Sequence, residues 1–444
     1  MSPYAARRAA LLEQMQPGAV AVIATAPEVA RNSDSDYPYR HDSYFYYLTG
    51  FTEPESVAVL LAARGDAPAC SILFCRPKDP EREIWDGFRH GPDAARTAFG
   101  FDAAFTIDQL DSEMGRLLAN APALYYALGS GAALDEQVRR WLDQVKRQSR
   151  SGISAPAMAC DLLPLLDEMR LFKDAEEQAI MLRAATISGQ AHARAMRASR
   201  PGMYEYEIEA ELLYEFRRNG AQAPAYNSIV AAGANACVLH YSRNNALVRD
   251  GDLVLIDAGC ELDGYASDIT RSYPANGRFS PAQRELYQLV LAAQAAAIQT
   301  IRPGQRYQTV HEAAVAVLAQ GMLDLGLLDA KQCGGAADVI ADKRYLQFYM
   351  HGTGHWLGMD VHDVGQYRDL SSPGKPSRPL QAGMTLTVEP GIYVRPAEGV
   401  PEAFWNIGIR IEDDVLVTAD GHSILSTAAP KSVQEIEQLM RQNP

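Results

Sequence analysis

No run in this 444-residue sequence approaches about 20 uninterrupted apolar residues, so no membrane-spanning helix is expected. No basic run occurs either. Acidic residues outnumber basic ones by 55 to 41, for a formal charge of -14, which makes nucleic acid a poor partner. The acidity reads as a solubility feature. The six cysteines are Cys70, Cys75, Cys160, Cys237, Cys260 and Cys333. They are scattered and include no CxxC pair, so reduced core thiols are expected rather than a disulfide framework. The opening residues, MSPYAARRAALLEQMQPG, lack the apolar core and cleavage site of a signal peptide. These absences together favour a cytoplasmic protein without a membrane partner.

What is present suits two globular domains. Hydrophobic residues make up 47% of the chain and charged residues 22%, enough for sizeable cores. Residues 1–172 read as an α/β domain, with strand-like runs at Ser56–Ala63, Ser71–Cys75 and Ala123–Leu128. The aromatic run from Arg40 to Tyr47 suggests a packed sheet edge. The polar segment Arg147–Pro156 suggests a loop or part of a linker. Residues 173–444 form the second expected domain. Asp174 and Glu177 make a D-x-x-E capping box before apolar residues at helical spacing to about Met196. A second helix, Glu205–Asn219, stops at Gly220. Ser280-Pro281 starts another helix, and a further one follows from about Thr309.

This second domain repeats itself. Helix, Arg-Pro-Gly, helix occurs around 200 and again around 302. Each copy leads to an alternating strand ending in a carboxylate two residues before glycine. Asp257 ends the first, in Asp250–Gly259, and Glu389 ends the second, in Ala382–Gly391. Asp268 and Glu412 lie on the strands that follow. Two halves related by a pseudo-two-fold would bring all four acids together. In the first hairpin, a turn between Leu262 and Asp263 places Asp257 directly opposite Asp268. A turn centred on Asp263-Gly264 makes them diagonal neighbours on one face. Either way, like charges on one sheet face need a cation between them.

Asp257, Asp268, His355, Glu389 and Glu412 thus form a ligand set of oxygens and one imidazole. Such a set favours Mn, Co, Fe or Zn over a thiolate-loving ion. Four carboxylates balance two divalent cations, and a close pair of ions can activate a shared water. Arg410 shares a strand face with Glu412 and can hold a ligand carboxylate in position. His240, His351 and His362 gather around the same acids. His41, His90, His192, His311 and His422 read as structural or surface residues.

These motifs carry a resemblance. Val254–Gly259 with Asp268, His351–Asp363, Thr385–Tyr393 and Gly408–Asp413 resemble the pita-bread metallopeptidases, most closely the bacterial aminopeptidase P group. Arg40–Phe51 and Glu83-Ile84-Trp85-Asp86-Gly87 resemble that group's N-terminal domain. The resemblance implies an α/β N-terminal domain and an α+β pita-bread catalytic domain. It implies removal of an N-terminal residue from peptides whose second residue is proline. Asp268 and Glu412 would bridge two ions, most commonly manganese, with Asp257 completing one site and His355 and Glu389 the other. A bridging hydroxide would attack the scissile carbonyl. Glu389 would move the proton, and His362 would stabilise the tetrahedral intermediate. His240, His351 and Tyr226 would contact substrate, and Trp85 would approach a neighbouring subunit's site in a homodimer or homotetramer. The segment Gln366–Leu380 is longer than usual and offers both Arg368 and Arg378 as contacts for the peptide's far end. Prolidase, which cleaves Xaa-Pro dipeptides, shares the ligand set and stays open as an alternative. A non-catalytic peptide-binding module on the same fold is the reading from a different class.

Overall fold

The D-x-x-E box does what its spacing dictates. Asp174 accepts hydrogen bonds from the backbone of Glu176 and Glu177, and Glu177 accepts one from Asp174, at the head of the helix Ala175–Ala198. Ser280 and Gln283 repeat the arrangement at the start of Pro281–Gln299. The structure, a computed structural model, describes residues 2–441. They divide into two units, one ending at Met169 and the other starting at Arg170, three residues ahead of the boundary expected from the sequence.

The first unit is built on a six-stranded mixed sheet. Its spatial order is Ala103–Thr106, Cys70–Cys75, Val57–Leu61, Val20–Ala24, Ala123–Tyr126 and Met158–Asp161. Val20, Val22, Val59, Phe74 and Leu124 pack with Trp141 and Val145 of the helix Ala132–Lys146. One expectation needs correction. The aromatic run is not a sheet edge: Asp42 caps a helix at Ser43–Thr49, which buries Phe45, Tyr47 and Leu48 along one side. Of the two readings of Arg147–Pro156, the loop holds: the segment leads into the edge strand Met158–Asp161 of the same sheet.

The second unit shows the repeat. Helices Ala175–Ala198 and Glu205–Arg218 precede the strands Leu253–Asp257 and Thr270–Pro274. Helices Pro281–Gln299 and Tyr307–Asp324 precede Thr385–Val388 and Asp413–Val417. One hydrophobic core, running from Leu212 and Val254 to Leu286 and Leu386, serves both halves. The register decides where the acids go. Asp257 pairs with Thr270, and Leu262 with Tyr265, so the first turn centres on Asp263-Gly264. Asp268 is therefore the diagonal neighbour of Asp257, not its direct partner. In the second half Val388 pairs with Asp413, and Gly391 with Arg410, which sets Glu389 opposite Glu412. The halves share topology, while their return-strand acids sit two residues apart in register.

Close backbone approach fixes the first hairpin. A Cβ added at Gly259 would lie 1.7 Å from the Ser267 carbonyl oxygen, between the two aspartates. Gly259→Ala is expected to destabilise the fold by about 3 kcal/mol through overpacking. The check is the urea midpoint, and an unchanged midpoint would contradict this register.

Candidate metal centre

Each ligand-type side chain enters from a strand end or an ordered loop. Asp257 closes the buried strand Leu253–Asp257. Its Oδ2 lies 2.6 Å from Nη2 of Arg410, and Tyr226 donates its hydroxyl to Oδ1 at 2.6 Å. The same hydroxyl reaches Oδ1 of Asp268 at 2.5 Å. His355 Nδ1 donates to the Trp356 carbonyl at 2.9 Å. That fixes the tautomer and aims Nε2 at Asp268 Oδ2, 3.3 Å away, with Glu389 Oε1 at 3.9 Å. Glu412 accepts from Thr270 Oγ1 at 2.7 Å, and its backbone N–H donates to the Thr270 carbonyl at 3.0 Å. Ligand atoms of Asp268, His355 and Glu412 all lie within 4.8 Å of one another.

The electrostatics match a site built for cations. Burial and neighbouring carboxylates push Glu389 up to about 7 and raise Glu412 well above the usual range. Burial also raises Asp257, against the pull of Arg410. Asp268 is the exception. Burial opposes its charge, but His355, Tyr226 and Arg410 outweigh it, and its pKa is lowered. His355 rises to about 9, because Asp268 and Glu389 overcome the cost of burial. Four crowded carboxylates that resist ionising together fit divalent cations.

A cavity of about 310 Å³ opens on this set. Asp257, Asp268, His355, Glu389, Glu412 and Arg410 line it, with His240, His351 and His362. The structure thus brings together all eight histidine and acidic residues named for chemistry and substrate, plus Arg410, around one space. 

The two glycines between His351 and His355 keep that segment out of helix, as expected. Arg410 holds Asp257 and also donates to Thr270 Oγ1 at 3.1 Å and to the Tyr393 hydroxyl at 3.0 Å. Tyr393 in turn meets His351 Nε2 at 2.8 Å. Burial and Arg410 lower His351 to about 3, so it is neutral at ordinary pH. The His362 ring lies tilted at 45° against that of His355, with centroids 4.1 Å apart.

Tyr226, expected to contact substrate, directs its hydroxyl at the two aspartates. Trp85 lies outside the cavity lining, 83% exposed on the short helix Pro80–Asp86 of the first unit. Arg368 lines a neighbouring cavity of about 570 Å³, together with His351 and Tyr367. Sequence reasoning missed Asp414, whose buried carboxylate accepts from the Asp268 backbone at 3.2 Å. The alternation of residues 410, 412 and 414 pointed to it, although the strand breaks after Arg410 and resumes at Asp413. It also missed Thr270, Tyr393 and His311, which bonds Thr353 at 2.8 Å behind Glu389.

Comparison with known proteins agrees with this geometry. The profile of Metallopeptidase family M24 matches residues 179–419, and that of the aminopeptidase P N-terminal domain matches residues 4–125. The chain belongs to family M24. It is 46% identical to the Xaa-Pro aminopeptidase of Escherichia coli, covering 98% of this chain and 96% of that protein. Human Xaa-Pro aminopeptidase 3 is 35% identical, over 99% and 86%. The structure of Pseudomonas aeruginosa aminopeptidase PepP superposes with a TM-score of 0.95 at 49% identity, covering 99% of this chain and 97% of that one. The fold is therefore an aminopeptidase P N-terminal domain joined to a pita-bread catalytic domain.

The protonation pattern predicts how the metal-free protein responds to pH. Glu389 at about 7 and His355 at about 9 both hold protons more tightly folded than unfolded. Their stabilisation is present at lower pH and is lost as pH rises through those values. His351 is neutral in both states above its ordinary value, so it does not oppose the trend there. The thermal midpoint of metal-free protein should fall between pH 7 and 9, and added Mn²⁺ should abolish the fall. A midpoint that is flat or rising over that window without metal would contradict the assigned charges.

Proposed function

We infer that this chain is a metal-dependent aminopeptidase that hydrolyses the N-terminal Xaa-Pro bond of peptides. The observation that carries the reading is the buried set Asp257, Asp268, His355, Glu389 and Glu412 facing one cavity. Its 46% identity to an Xaa-Pro aminopeptidase over nearly the whole chain supports the proline preference. Two divalent ions, with manganese first and Co, Fe or Zn as alternatives, would supply Lewis acidity and an activated water when bound. Asp257, Asp268, His355, Glu389 and Glu412 would hold them.

The remaining chemistry belongs to the chain. Arg410 favours the charged form of Asp257 and orients it through its 2.6 Å contact. Glu389 accepts a proton and returns it to the departing proline nitrogen. His362 donates to the oxygen of the tetrahedral intermediate. Neutral His351, held by Tyr393, and exposed His240 flank the space for the proline ring. An Xaa-Pro bond has no N–H, so a site that makes no use of that donor loses nothing by accepting proline. The carboxylates attract the free amine of the substrate. A cytoplasmic homo-oligomer, with exposed Trp85 reaching a neighbouring subunit, completes the proposal.

A peptide panel tests it. Manganese-loaded protein should cleave Ala-Pro-Ala and leave Ala-Pro intact. Asp268→Ala should lower turnover by at least about 10³-fold, as loss of an interaction central to the transition state does. Cleavage of Ala-Pro alone would make the protein a prolidase. Near-normal turnover of the Asp268→Ala variant would overturn the ligand assignment.

A further inference from the structure

His362 presents a puzzle of position. Its ring faces the cavity and lies tilted against His355, yet no hydrogen bond holds it among the described residues. Its place must come from the backbone that carries it. The next residue, Asp363, is buried and heavily bound. Oδ1 of Asp363 accepts from Arg170 Nη2 at 2.7 Å, and Oδ2 accepts from Lys173 Nζ at 3.0 Å. All three side chains are about 1% exposed. Arg170 also reaches Asp360 Oδ2 at 2.8 Å, so two cations meet two carboxylates. Removing one member of such a buried set leaves the others uncompensated, so its geometry is enforced.

The clamp connects to the site through one oxygen. The Trp356 carbonyl accepts the Asp363 backbone N–H at 2.9 Å and His355 Nδ1–H at 2.9 Å. The loop 356–363 is thus closed at the atom that orients His355. Packing leaves it no slack, since a Cβ at Gly358 would lie 2.1 Å from Asp363 Oδ2 and 2.9 Å from Lys173 Cε. The cations come from a fixed segment: the Lys173 N–H donates to the Gly383 carbonyl at 2.9 Å, and Asp174 begins the capped helix.

We propose that Asp363, gripped by Arg170 and Lys173, is a positioning residue that sets His362 over the cavity. The role rests on the aminopeptidase reading, in which His362 touches the reacting carbonyl. A buried ion cluster that served only stability would not distinguish His362 from any other residue of the site.

A double-mutant cycle makes that distinction, because coupled positions depart from additivity. Asp363→Asn, His362→Ala and the double variant are assayed as full-length manganese-loaded protein. The substrate is whichever of Ala-Pro-Ala and Ala-Pro the wild type cleaves. Asp363→Asn should lower kcat at least tenfold with KM changed less than threefold. In the His362→Ala background it should lower kcat less than twofold. Equal losses in both backgrounds would overturn the proposal. Lys173→Met provides the same cycle if Asp363→Asn does not fold. Amide hydrogen exchange supplies a readout independent of activity. Exchange at residues 357–363 should accelerate at least tenfold in Asp363→Asn, and unchanged exchange there would also overturn the proposal. If the wild type cleaves neither peptide, the aminopeptidase reading fails, and the exchange result still decides whether the clamp orders this loop.

Discussion

Mutual repulsion among buried carboxylates is the constraint on which the catalytic unit depends. Asp257, Asp268, Glu389 and Glu412 converge on one cavity, and Asp414 lies just behind them. Moving a charge out of water costs several kcal/mol even after relaxation, and grouping like charges adds to that cost. The fold answers with Arg410 on Asp257, His355 on Asp268, Tyr226 on both aspartates and Thr270 on Glu412. These groups lessen the strain without removing it, since Glu389 and Glu412 remain well above the ordinary carboxylate range. Divalent cations would complete the balance, which would give the site's architecture and its chemistry one cause.

The repeat explains how such a cluster can be assembled. Each half contributes a helix pair and a hairpin that ends in acids, and one shared core holds both hairpins in place. The two hairpins are not copies in register. Asp257 faces Thr270, whereas Glu389 stands opposite Glu412. That offset frees Thr270 to bond Glu412 across the halves through both side chain and backbone. The asymmetry therefore joins the two halves at the centre of the site.

Much of this was legible in the chain itself. Asp257, Asp268, His355, Glu389 and Glu412 stood out because acids on buried alternating strands demand compensation. The capping boxes at Asp174 and Ser280 were legible because side-chain spacing alone specifies them. The hairpin offered two registers, because Asp263-Gly264 and the neighbouring pair both make plausible turns, and only the pairing partners decide. The run Ser43–Thr49 misled because aromatic residues suit strands and helices alike, and the Asp42 cap outweighed their strand preference. Tyr226 and the Arg170–Lys173–Asp363 clamp depend on contacts distant in sequence, which no local pattern displays.

The central claim is that four crowded carboxylates and one imidazole require two divalent cations. Calorimetric titration of Mn²⁺ into metal-free protein tests it most directly. The account predicts two ions bound per chain, with the second site lost in the Glu389→Ala variant while the first remains. Fewer than one ion bound per chain, or unchanged binding in that variant, would contradict it.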